Sequence, residues 1–186
     1  DLDSTYRGGS VVLAGEAPTP AAATPVAAST STCTGALMAV KGLCIDMPIE
    51  QAVERVATFS KDALSERRLP GQPLVIHDNA LGSIQLLSRD GRLVTFFIGG
   101  PAAESAFRAG DMSIEDFAQA IIDNYDVPEL KVESVIEEPM GRATLRTVTY
   151  VHRFDEGIEV KVRGNSAGAK SLQVSAVTPA DARTFD

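Results

Sequence analysis

The sequence predicts an α+β protein built from two tandem units, each a helix followed by an antiparallel meander of strands. Three observations predict it. The stretch DMPIEQAVERV, from Asp46 to Val56, returns 65 residues later as DMSIEDFAQAI, from Asp111 to Ile121. Both copies carry apolar residues at helical spacing. Each is followed by short runs rich in β-branched and aromatic residues, separated by turn signals.

Taken in chain order, residues 1–32 predict a tether. GEAPTPAAATPVAASTST, residues 15–32, is almost entirely Ala, Thr, Pro and Ser, which bury too little surface to offset the entropy of folding. The run around Ser10-Val11-Val12-Leu13 leaves open whether residues 10–14 form a strand. The start at Asp1, without Met, raises the expectation of a removed N-terminal anchor, since tethers of this kind often join an anchor to an extracytoplasmic domain. Cys33 and Cys44, the only two cysteines, stand where the tether gives way to a folded pattern. They are either a disulfide, which implies an oxidising compartment such as the periplasm, or two thiols of a cytosolic protein. Their placement favours the disulfide.

The first unit, residues 33–100, opens with a helix whose apolar positions are Ile49, Ala52, Val53, Val56 and Ala57, with Pro48 at its start. Three strand runs follow, PLVIHDN, GSIQLLSRDG and RLVTFFIGG, the last two joined by a tight hairpin at Asp90-Gly91. PAAESAFRAG reads as a short bridging helix and loop. The second unit, residues 101–186, repeats the helix with Ile114, Phe117, Ala118, Ile121, Ile122 and Tyr125 on one face. Ser113 with Asp116 resembles a capping box, and Met112 is placed as a hydrophobic staple. Four strand runs follow, LKVESVIEE, ATLRTVTYVHRF, GIEVKVRG and SLQVSAV.

Charge excludes one class of partner. Residues 33–100 hold seven acidic and seven basic residues, whereas 101–186 hold 15 acidic and nine basic, most of the net charge of -8. With no basic run longer than Arg67-Arg68, nucleic acid is not expected as a partner, while a basic protein partner suits the surface. No stretch is long and apolar enough to span a bilayer, so membrane contact is expected only through the removed anchor.

The run Gly42-Leu43-Cys44-Ile45-Asp46-Met47-Pro48-Ile49-Glu50, with its partner Gly110-Asp111-Met112-Ser113-Ile114-Glu115, opens a helix that precedes a meander. It resembles the small modules shared by the β-lactamase inhibitor protein and the outer-membrane lipoprotein of the barrel-assembly machinery, over roughly residues 40–178. The resemblance implies extracytoplasmic binding modules that present a sheet face to a protein. It carries over no functional residue.

Catalytic and metal patterns fare poorly. GNSAG, Gly164 to Gly168, matches the nucleophile elbow of serine hydrolases, but both histidines, His77 and His152, precede Ser166, and a strand rather than a helix follows. His77-Asp78 has the makings of an acid–base pair, yet neighbours on a strand point to opposite faces. The two cysteines and two distant histidines have no metal-ligand spacing, and Glu129, Glu133, Glu137 and Glu138 lack a calcium-loop pattern. These glutamates read as a solvated acidic edge. No cofactor or metal is expected.

The strongest constellation lies on one strand. Alternation puts Arg146, Val148, Tyr150, His152 and Phe154 on one side and Leu145, Thr147, Thr149, Val151 and Arg153 on the other. Tyr and Arg are enriched at binding hot spots, so Arg146, Tyr150, His152 and Phe154 form the candidate docking surface, unless they pack against the helix or the neighbouring unit. The expected function is a non-catalytic, extracytoplasmic binding module for a protein or cell-envelope ligand. The alternatives are an inhibitor or immunity protein that blocks an enzyme and, in a different class, a small hydrolase using Ser166.

Overall fold

The structure, a computed structural model, describes Cys33, Ala36, residues 38–78 and residues 83–177. The tether of residues 1–32, including 10–14, lies outside the described residues. The elements are α1 (Ile49–Val56), β1 (Leu64–Arg67), β2 (Leu74–Asp78), β3 (Ile84–Arg89), β4 (Arg92–Gly99), α2 (Gly100–Phe107), α3 (Ile114–Asn124), β5 (Lys131–Met140), β6 (Ala143–Phe154), β7 (Ile158–Asn165) and β8 (Lys170–Ala176). Together they make a mixed fold of helix and strand: three helices against one antiparallel sheet of eight strands, in the order β1-β2-β3-β4-β8-β7-β6-β5. Residues 33–100 and 101–186 contribute four strands each, and the described residues fall in one compact unit. None of the described helices is long and apolar enough to cross a membrane.

The first half has one strand more than its sequence predicts. β1, LSER, has no apolar alternation, and it is a strand because its register with β2, Leu64 opposite Asp78 through Arg67 opposite Val75, supplies backbone partners. The hairpin at Asp90-Gly91 is present, both residues having positive φ (52° and 74°), as a type I′ turn requires. PAAESAFRAG contributes α2, with Pro101 in its first turn and Arg108 ending it at φ 56°.

The helices cover one face of the sheet. α3 is capped by Ser113, whose Oγ accepts from the Asp116 amide at 3.0 Å, and it buries Ile114, Phe117, Ala118 and Ile121. Phe117 is fully buried, its ring 5.6 Å from that of Phe107 on α2. α1 buries Ile49, Ala52 and Val56, while Val53 is half-buried and Ala57 exposed. Beneath them lie Phe96, Ile98, Leu172, Val174, Val160 and Val162. The start of α3 comes so close to β7 that a Cβ at Gly164 would stand 2.5 Å from the Ile114 Cδ1 and 3.0 Å from the Ala169 carbonyl oxygen, so a side chain there would force Ile114 to move.

The segment before α1 is stitched in. Cys33 and Cys44 form the disulfide that their placement predicts, with Cα atoms 5.8 Å apart. Val40 and Leu43 exchange backbone hydrogen bonds across a turn, and the Asp46 and Leu93 amides donate to the Leu93 and Met47 carbonyls at 2.8 and 2.9 Å. Met38, Val40, Leu43 and Met47 are consequently buried.

Candidate functional site

β6 carries the four residues singled out from the sequence, and β5 decides what surrounds them. Register places Tyr150 beside Val132, Val148 beside Val135 and Arg146 beside Glu137, all on the helix-covered face. Val148 is buried in the core, and half-buried Tyr150 and Phe154 pack against it. Exposed Arg146 forms an ion pair with Glu115 of α3 at 3.6 Å. The His152 ring meets Phe154 edge-on, with centroids 4.5 Å apart. Burial raises the Tyr150 phenol above its ordinary pKa, and the Glu115 carboxylate adds to this while Arg146 opposes it. Arg146, Tyr150, His152 and Phe154 therefore share one side of the strand, partly engaged with core and helix and partly open beyond α3.

The opposite side of the same strands holds an ion-pair network. Between Val132 and Ser134 the register of β5 shifts, leaving Glu133 as the extra residue of a bulge. Its carboxylate accepts from Arg153 at 2.9 Å and pairs with Lys161 at 3.4 Å, and both cations also meet Glu159, at 2.7 and 3.4 Å. Burial works against the charge of Arg153, but its bonds to Glu133 and Glu159 outweigh this and raise its pKa. Glu129 is held below the usual carboxylate range by its hydrogen bond and ion pair with Lys131, 2.8 Å away. Glu137 and Glu138 are exposed and make no ion pair among the described residues. The acidic edge expected from sequence is thus divided between neutralised and free carboxylates.

Residues that the sequence does not single out stand beside this candidate site. Five large apolar side chains are more than about two-fifths exposed among the described residues, and four are on β5: Val132 (57%), Val135 (47%), Ile136 (47%) and Met140 (61%). The fifth is Leu69, in the β1–β2 connection. The ladder of β7 covers Thr147–Phe154 of β6, so the hairpin tip from Glu138 to Leu145 extends past the end of that ladder. Helical or strand periodicity does not reveal that exposure, because it follows from which strand lies at the edge.

The other candidates have plainer structural roles. Ser166 sits in a strand–turn–strand connection: its Oγ accepts from the Arg146 amide at 3.0 Å, and its own amide donates to the Arg146 carbonyl at 2.8 Å. Asn165 Oδ1 accepts from the amides of Ala167 and Ala169, an Asx turn that orders GNSAG. The His77 ring donates from Nδ1 to the backbone carbonyl of Asp78 at 2.9 Å, while the buried Asp78 carboxylate has no hydrogen-bond partner among the described residues. A groove of about 1000 Å³ runs between α1 and the β1–β2 connection, floored by Val53, Leu74 and Ile76 and rimmed by Glu50, Glu66, Arg68 and Arg89. Its rim mixes both signs of charge. No group of three or more His, Cys, Asp or Glu among the described residues is placed to hold a metal. The sequence matches no protein-family model and no curated protein.

Proposed function

We propose that this chain is a non-catalytic, extracytoplasmic binding module that recognises a protein or cell-envelope ligand through the β5–β6 side of its sheet. The observation that carries the reading is the gathering of Val132, Val135, Ile136 and Met140, exposed, on one edge strand next to Arg146, Tyr150 and His152. Large apolar side chains left in solvent along an unpaired edge strand suit an interaction that covers them. The disulfide supports an oxidising compartment. The resemblance to inhibitor and barrel-assembly modules supports the same class of function.

The architecture behind it is read as two tandem units. α1 with β1–β4 and α3 with β5–β8 follow the same order, and their last strands, β4 and β8, join at the centre of the sheet with Phe97 opposite Gln173. On this reading β1 and β5 are equivalent strands that end up at opposite edges. The test is capture from a cell-envelope extract by the wild-type chain and by a chain carrying Val132→Lys and Arg146→Glu. A protein retained by the first and lost by the second supports the reading, and identical retention by both contradicts it.

A further inference from the structure

We propose that β5 is a strand-addition site, which an extended segment of another protein, reading basic–basic–apolar–apolar, joins as a ninth antiparallel strand along Ser134 to Glu138. This rests on the protein-binding reading above and specifies its mode and its partner.

The backbone makes the first case. A strand of ten residues is about 33 Å long, and β6 satisfies only alternate amides and carbonyls of β5, leaving the others along the outer edge. A bulge often spoils such an edge, but here it is confined to Glu133, whose carboxylate is tied to Arg153 and Lys161. From Ser134 opposite Thr149 to Met140 opposite Ala143 the register is continuous. Pro139 offers no amide, so the usable edge ends at Glu138.

Side chains specify the partner. Val135 and Ile136 point to opposite faces and both are exposed, so a strand laid beside them meets an apolar neighbour above and below. Glu137 and Glu138, likewise on opposite faces and without ion-pair partners among the described residues, call for a cation on each face. An antiparallel strand meets Glu138, Glu137, Ile136 and Val135 in that order, which sets the basic–basic–apolar–apolar pattern. A second copy of this chain does not supply it. β5 itself, KVESVIEEPM, holds one cation, Lys131, and no consecutive pair to set against Glu137 and Glu138, and each chain has a net charge of -8. The only consecutive basic pair, Arg67-Arg68, is followed by Leu69-Pro70, and Pro70 has no amide to donate to the edge at the fourth position.

The probes are two labelled twelve-residue peptides of Thr and Ser, one with Lys-Arg-Val-Ile at its centre and one with Glu-Glu-Val-Ile, titrated against the full chain by fluorescence anisotropy. The basic peptide is expected to bind saturably at one to one. At least tenfold weaker binding is expected for the acidic peptide, and for the basic peptide with chains carrying Val135→Lys or Ile136→Lys. Both substitutions are at exposed positions, and unchanged melting temperatures show that the fold is kept. No saturable binding, equal binding of the two peptides, or undiminished binding by both variants overturns the proposal. A dimer in sedimentation that Ile136→Lys abolishes also overturns it, assigning the edge to a second copy. If a captured envelope protein cross-links to β6 or α3 but not to residues 131–140, strand addition fails while the protein-binding reading stands.

Discussion

The sheet ends differently on its two sides. At one edge β1 is four residues long, and its outermost residues Glu66 and Arg67 are charged and exposed. At the other β5 is ten residues long, with four large apolar side chains in solvent. Short length and charge are the usual ways in which an edge is made unattractive to another strand. β1 uses both, whereas β5 uses charge on only part of its length. Stability does not account for the difference, because side chains about half in water or more add little to a core. On the proposed function, the long and apolar edge is the one that receives a partner.

The helices behind the two edges sharpen this contrast. Phe117 of α3 is fully buried against Phe107, so Phe117→Ala should cost about 3–5 kcal/mol in equilibrium urea unfolding. Breaking the Cys33–Cys44 disulfide, which closes a short loop on the α1 side, should cost about 3 kcal/mol, read by unfolding with and without reductant. Val56→Ala in α1 should cost about 1–3 kcal/mol, since Val56 is buried but offers fewer methyl groups to lose. If Phe117→Ala is as mild as Val56→Ala, α3 does not brace the β5 side and the contrast is broken. Glu115→Ala removes a first-turn carboxylate and its exposed pair with Arg146, and should cost no more than about 1 kcal/mol. The smallest effect should be that of Ile136→Lys, within about 0.5 kcal/mol, as an exposed edge position predicts.

Much of this architecture is legible in the sequence. The helical spacing of Ile49, Ala52 and Val56 and of Ile114, Phe117 and Ile121 marks both buried faces, and Asp90-Gly91 marks its hairpin, because these signals are local. LSER escapes, having no apolar alternation, since tertiary pairing alone makes it a strand. The β4–β8 junction escapes for a related reason: Phe97 and Gln173 are neighbours only after both meanders have folded. At the candidate site, alternation along β6 groups Arg146, Tyr150, His152 and Phe154 correctly on one side. It cannot show that Val132, Val135 and Ile136 are exposed, because the bulge at Glu133 breaks the period of β5 and because being an edge strand is a property of the whole sheet.

The most direct test of the account compares the two edges in one sample, by residue-resolved amide hydrogen exchange of the full chain with and without the Lys-Arg-Val-Ile peptide. The account predicts that the faster-exchanging amides between Ser134 and Glu138 slow markedly on addition of peptide, while those of Leu64 to Arg67 are unchanged. Equal slowing at both edges, or slowing at β1 alone, would contradict the claim that β5 is the edge built to receive a partner.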